Sequence, residues 1–448
     1  MSSGKPSDKI VIREATSFRG TLVPPPDKSI SHRAVFFCSL ARGKSRVKNF
    51  LFAQDPLSTV RAFRSLGIAI EQERDSLIIY GKGLRGLSEP GNIIDCGNSG
   101  TTIRLLTGVL SGSPFLSILT GDDSIRRRPM ARVIKPCSTM GAVIHARSNN
   151  NFPPIAISGG NLKPITYAMP VASAQVKSAL ILAALSAEGV SEITEPGKSR
   201  DHTERMLPAF GADIRVQGNT VVVTGGNDLL AHDIEVPGDF SSAAFFIAGA
   251  LLVNGAEVTI RNCGLNPTRT GFLNVVRRMG GNIAIEHERE ISGELIGDIV
   301  CRHSPGLKGV KVDGNEIPLL IDEFPILVLL ATQAEGVTEI RNAEELRVKE
   351  SDRIGAMAEN LRILGARLEE HRDGMTIEGV TPLRGGNVKS YDDHRIAMTM
   401  AIAGLIAQSE VGIEGVSSVD ISFPGFFTTL KKFVQRRKPQ RRRVMNSD

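Results

Sequence analysis

LSTVRAFRSLGIAI, residues 57–70, decides the fold, because its pattern returns along the chain. Asp55 and Pro56 read as the cap and first residue of an amphipathic helix, and Gly67 stands where a left-handed C-terminal cap precedes a strand. The closing unit, a hydrophobic residue, Gly, two variable positions and a hydrophobic residue, is LGIAI at 66–70. It recurs as MGAVI (140–144), FGADI (210–214), MGGNI (279–283) and LGARL (364–368). Each copy leads into a strand and then a second one, such as DSLIIYG (75–81) or NTVVVTG (219–225).

A second repeat lies ahead of each of these helices. Residues 29–43 (SISHRAVFFCSLARG), 99–112 (SGTTIRLLTGVLSG), 173–189 (SAQVKSALILAALSAEG), 241–255 (SSAAFFIAGALLVNG) and 322–336 (DEFPILVLLATQAEG) begin polar, turn almost wholly apolar and stop at Gly. A sixth copy, DDHRIAMTMAIAGLIAQ (392–408), lacks the Gly stop. Helices apolar on nearly every face belong inside a core.

The repeating unit therefore reads strand, buried helix, strand, surface helix, strand, strand. Six such units open near residues 28, 98, 172, 240, 321 and 392. The sixth lacks its final strand pair, and residues 10–23 (IVIREATSFRGTLV) look like an orphan pair that completes it. The expected architecture is α/β with two lobes of three βαβαββ units. One lobe is residues 26–240; the other is discontinuous, 1–25 plus 241–433. A length of 448 residues fits two domains better than one.

An apolar content of 41% with 23% charged residues excludes disordered and fibrous classes. The absence of Trp, with only three Tyr, argues against an aromatic platform for nucleic acid. The apolar run 243–253 is too short to span a bilayer, and MSSGKPSDKI has no apolar stretch behind its lysines, so a cytoplasmic protein is expected. Five scattered cysteines without CxxC spacing fit reduced thiols, and no histidine pair has metal-ligand spacing. The net charge of +6 belongs to the end of the chain. Residues 431–448 carry +7, leaving −1 for the rest, so residues 434–448 are expected to be a disordered, solvated tail.

Three phosphate-loop lookalikes fail on context. Residues 81–86 (GKGLRG) follow a strand but precede no helix, and Gly43-Lys44-Ser45 and Gly197-Lys198-Ser199 lack the leading glycine of a P-loop. The chemistry is expected instead at the polar starts of the buried helices, where unpaired N–H groups attract anions. Lys28, Arg33, Arg104, Arg128, Arg200, Lys349, Arg353 and Arg395 cluster there, with Asp322 and Glu350 as two acid/base groups among them.

VPPPDKSISHRA (23–34), DCGNSGTTIRLL (95–106), RRRPM (126–130), ASAQVKSA (172–179), SRDHTERML (199–207), IDEFP (321–325), RVKESDRI (347–354) and DDHRIAM (392–398) follow one another in this order. Together they resemble the signature segments of the 5-enolpyruvylshikimate-3-phosphate synthase family, in its second-class form. The resemblance implies an inside-out α/β barrel in each lobe and transfer of the enolpyruvyl group of phosphoenolpyruvate to shikimate 3-phosphate, without metal or other cofactor, by a monomer. Carried over by position, Lys28, Ser29, Arg33, Ser173, Ala174, Gln175, Arg200, Asp322 and Lys349 would hold shikimate 3-phosphate. Lys28, Asn98, Gly100, Thr101, Arg128, Gln175, Arg353 and Arg395 would hold phosphoenolpyruvate. Asp322 would act as base and Glu350 as acid, with Lys28 and Lys349 as catalytic cations. Gly100 would leave room for glyphosate, the family's inhibitor.

Two lobes with like-charged clusters are expected to repel until an anion enters, and so to close on shikimate 3-phosphate. First-class members carry a Lys just before the last T-F-P segment; here Asp420-Ile421 precede Ser422-Phe423-Pro424. The sister transferase acting on UDP-N-acetylglucosamine shares the architecture but carries a reactive Cys, or uncommonly Asp, in the loop that reads GDDSIRRRP (121–129) here. SAQVKSA and RVKESDR separate the two. A nucleic-acid binding protein using the basic tail is the rival from another class.

Overall fold

The computed structural model describes residues 8–312 and 314–435. Six buried helices organise it: α1 (Lys28–Leu40), α2 (Gly100–Ser111), α3 (Ala174–Leu185), α4 (Phe240–Leu252), α5 (Phe324–Thr332) and α6 (His394–Ile406). Their all-round apolar sequences fill two separate hydrophobic cores. α1 to α3 pack in one, with residues 30–236; α4 to α6 pack in the other, with residues from Ile12 to Leu22 and from Phe240 to Phe433. The two cores are the centres of two lobes, each an inside-out barrel with its helices within and its sheets outside.

The repeating unit is visible in the sheets. Ile94–Asp95 runs parallel to Leu116–Thr120 across α2, and the hairpin of Val143–Ala146 and Phe152–Ser158 adds antiparallel beyond it. The same order recurs around α3 and α5. Glycines of the closing repeat turn the chain as their spacing requires: Gly67 has φ 84° and Gly365 φ 88°, a region that L side chains rarely enter. The surface helix opens at Gln54 after Ala53, so Asp55 is its second residue and not its cap.

The N-terminal strands depart from the expected arrangement. Lys9–Ile12 does join the sixth unit, pairing antiparallel with Val411–Glu414. Ser17–Leu22 instead lies parallel to Glu257–Gly264 in the fourth unit. The reason is a strand exchange between the lobes. The segment ahead of α4, Leu229–Leu230 and Ile234–Glu235, pairs with Ala41–Lys48 and closes the first lobe's sheet. The fourth unit therefore takes its leading strand from the segment ahead of α1. Val434–Gln435, placed in the tail by the sequence, extends that sheet against Ser17 and Phe18. The rest of the tail, 436–448, lies outside the described residues. Among the described residues no helix is long and apolar enough to cross a membrane, and the five cysteines are free and buried.

Candidate active site

The starts of all six buried helices open on one cleft between the lobes. Its wall includes Lys28 and Ser29 from α1, Gly100, Thr101 and Arg104 from α2, and Ser173, Ala174 and Gln175 from α3. Asp239 caps α4, Asp322 precedes α5, and Arg395 lies in the first turn of α6. Asp27, Ser99, Asp239 and Asp393 cap their helices through their own side chains, whereas α3 and α5 have no such bond. The first N–H groups of α3 thus remain available to an incoming anion.

Asp322 sits among guanidiniums. Its carboxylate is 2.7 Å from Arg200, 3.0 Å from Arg353, 3.4 Å from Arg395 and 3.9 Å from Arg269. Burial alone would raise its pKa, but Arg395, Arg200 and Arg353 outweigh that and hold it well below the usual carboxylate range. Glu350 is 2.6 Å from Arg353 and 3.6 Å from Arg128. It too is held well below its ordinary value, burial being overcome by Arg353 and Arg128. Both acids are therefore carboxylates in this arrangement. Lys349 is pushed down to about 8 by burial, against the opposing pull of Asp322.

Gln175 ties two helix starts together, accepting from Arg104 at 2.5 Å and donating to Thr101 at 3.0 Å. Arg128 donates to the Asn98 side chain at 3.2 Å. Lys28 faces Asp55 at 3.1 Å, and Asp55 also faces His32 at 3.4 Å.

Of the residues singled out from sequence, Lys28, Ser29, Gly100, Thr101, Arg128, Ser173, Ala174, Gln175, Arg200, Asp322, Lys349, Glu350 and Arg395 line this one cleft. Three others stand behind its wall. Arg33 is 3% exposed and spends its donors on Thr203, Ser178 and the Ser29 carbonyl. Arg353 is 1% exposed and holds Asp322, Glu350 and Asp393 together. Asn98 bonds Asp122 and Arg128 beside a second pocket that Ile421 also lines. In this arrangement Arg33 and Arg353 bond groups that themselves line the cleft, Ser29 for the first and Asp322 and Glu350 for the second.

Sequence reasoning gave no site role to Asp55, Arg132, Ser199, Asp239, Arg269 or Glu345, which also line the cleft, as does Arg104, expected there as a cation. Arg104 was visible as a cation at a helix start; Arg269 lies in no buried-helix opening and carried no such signal. The premise of like-charged lobes needs correction. Facing groups are complementary: Arg200 meets Asp322, Arg128 meets Glu350, Arg132 meets Glu345 at 2.5 Å, and Arg269 reaches Asp27 at 3.6 Å. Acids that look like lone chemistry in the sequence also neutralise the opposite lobe.

Residues 12–430 match the family described as EPSP synthase (3-phosphoshikimate 1-carboxyvinyltransferase). A 3-phosphoshikimate 1-carboxyvinyltransferase of Thermodesulfovibrio yellowstonii is 55% identical over 423 residues, which are 94% of this chain and 98% of that protein. One from Pelobacter propionicus is 50% identical over 426 residues, 95% of this chain and 99% of its own. The EPSP synthase of Acinetobacter baumannii superposes with a TM-score of 0.86 at 43% identity, covering 96% of this chain and 98% of that one. The enolpyruvyl transferase NikO of Streptomyces tendae, 16% identical, shares the fold with a TM-score of 0.77 over 96% of this chain and 98% of that one. The chain belongs to the EPSP synthase family.

Proposed function

We propose that this member of the family transfers the enolpyruvyl group of phosphoenolpyruvate to the 5-hydroxyl of shikimate 3-phosphate, releasing phosphate, in the shikimate route to chorismate and the aromatic amino acids. The observation that carries the site assignment is the bridge made by Arg353. It holds Asp322 at 3.0 Å and Glu350 at 2.6 Å, two carboxylates in a cleft walled by cations from both lobes.

Shikimate 3-phosphate occupies the side formed by Lys28, Ser29, Ser173, Ala174, Gln175, Arg200 and Lys349, with the uncapped start of α3 toward its phosphate. Phosphoenolpyruvate lies by Gly100, Thr101, Arg128 and Arg395, with Asn98 and Arg353 in support, while Arg33 supports the shikimate 3-phosphate side. Asp322, already ionised, takes the proton of the 5-hydroxyl as its oxygen bonds to the central carbon of phosphoenolpyruvate. Glu350 must be protonated to deliver a proton to the methylene carbon. The substrate's own charge supplies the means: its carboxylate and phosphate draw on Arg128 and Arg353 and add negative charge nearby, and both effects raise the Glu350 pKa. The resulting tetrahedral ketal phosphate then loses phosphate while the new methyl group gives back a proton, restoring the enol ether. Lys28, Lys349 and the arginines stabilise the charge that moves.

The chain is read as second-class, from SAQVKSA and IDEFP, and as a cytoplasmic monomer, from its likeness to the family. Residues 26–240 are taken as one lobe and 1–25 plus 241–433 as the other, in keeping with the two hydrophobic cores. The test is phosphate release on mixing phosphoenolpyruvate with shikimate 3-phosphate, with UDP-N-acetylglucosamine as control acceptor. Turnover with the control alone would assign the chain to the sister reaction.

A further inference from the structure

Behind the cleft, Lys177 lies one turn into α3 and is 1% exposed. Its ammonium donates to Glu195 at 2.7 Å, pairs with Glu204 at 2.6 Å and reaches the Ser199 carbonyl at 3.4 Å. Glu195 in turn accepts from the Ser199 N–H at 3.1 Å and the Ser199 hydroxyl at 2.5 Å. One buried lysine thereby ties α3 to the end of the strand Gly189–Thr194, to the loop that follows, and to the short helix His202–Met206. Arg33, on α1, reinforces the joint, donating to Ser178 and Thr203, the neighbours of Lys177 and Glu204.

A buried charge is an expensive way to fill space, and apolar residues of the same volume commonly stabilise as well or better. The cluster makes sense by what it holds. Residues 195–201 form neither helix nor strand, yet Ser199 and Arg200 line the cleft, and Arg200 reaches across it to Asp322 at 2.7 Å. Glu195 fixes Ser199 by two bonds, and Lys177 fixes Glu195.

We propose that Lys177 is a positioning residue for the shikimate 3-phosphate half of the site, setting Ser199 and Arg200 through Glu195 without touching the ligand. The proposal rests on the reading of the cleft given above. Arg128 and Asn98, on the phosphoenolpyruvate side, hang on other bonds, so the effect is expected to fall on one substrate.

The test uses the whole chain carrying Lys177→Met, which is one heavy atom shorter, keeps the unbranched apolar stem and removes the charge. Calorimetric titration with shikimate 3-phosphate is expected to show a Kd raised roughly tenfold or more, the size of one good hydrogen bond misplaced. The KM for phosphoenolpyruvate, measured at saturating shikimate 3-phosphate, is expected to stay within about twofold, below the effect of losing one such bond. Glu195→Gln, which leaves the lysine in place but weakens its hold on Ser199, is expected to act in the same direction and is the second variant where Lys177→Met does not fold. A folded variant with unchanged shikimate 3-phosphate affinity overturns the proposal, as does a parallel shift for both substrates. Failure of both variants to fold also overturns it, making Lys177 a folding residue. Wild-type protein that releases no phosphate counts against the assigned reaction instead.

Discussion

Replacing Asp322 by Asn separates its two duties, base and counter-charge, because the amide keeps the shape and loses the charge. As a base, Asp322 is worth at least ~10²-fold in turnover, the usual scale for a positioned proton acceptor. As a counter-charge it faces four guanidiniums between 2.7 and 3.9 Å. Each unit-charge attraction amounts to about 4 kcal/mol at 4 Å with an effective dielectric of 20. Removing the carboxylate leaves these cations free to seek another anion. Were only a third of one attraction passed on, about 1.4 kcal/mol, inorganic phosphate would bind about tenfold more tightly. The expected signature is opposed: kcat falls by at least ~10²-fold while anion affinity rises. Phosphate-release kinetics and calorimetric titration with inorganic phosphate measure the two arms. High salt should shrink the second without restoring the first. Turnover within tenfold of wild type would remove Asp322 from the base role, and unchanged phosphate affinity would refute the counter-charge argument.

Gly100→Ala places a methyl group 2.9 Å from the tips of both Arg104 and Arg128. Those tips can move, but moving them displaces the clamp, so the KM for phosphoenolpyruvate should rise by about tenfold, a hydrogen bond's worth, and glyphosate inhibition should weaken; inhibition and substrate kinetics left as in wild type would contradict the crowding. Burial sets Lys349 near 8, so kcat/KM should decline as pH rises through about 8, and Lys349→Arg should move that limb upward in a pH–rate profile. Asp322 and Glu350 have depressed values in the fold. Their stabilisation is therefore complete above the unfolded carboxylate range near pH ~4 and is lost as pH falls through the folded values. Urea denaturation between pH 7 and pH 3 should show a steeper loss for wild type than for Asp322→Asn with Glu350→Gln.

The secondary structure was legible because it rests on local rules. A left-handed turn at Gly67 or Gly365 and the all-apolar faces of α4 and α5 need no knowledge of the rest of the chain. The helix starts of the site were legible for the same reason, since Lys28, Gly100 and Ala174 each open a buried helix and Arg395 lies in the first turn of another.

Partnership over long sequence separation was not legible. Ser17–Leu22 pairs with a strand more than 200 residues later, because the lobes exchange their leading strands, and no local pattern encodes which edge is vacant. Arg269 and Glu345 look like ordinary surface charges until the lobes bring them opposite Asp27 and Arg132. Arg33 and Arg353 carry the motif of ligand holders, and only the fold shows that they are buried and bonded to Thr203 and Asp322. Sequence by itself determined the repeat, the buried helices and the residue types of the site. Only tertiary structure decided which charges face a ligand and which face each other, because that depends on distance and burial, and neither is a property of a residue alone.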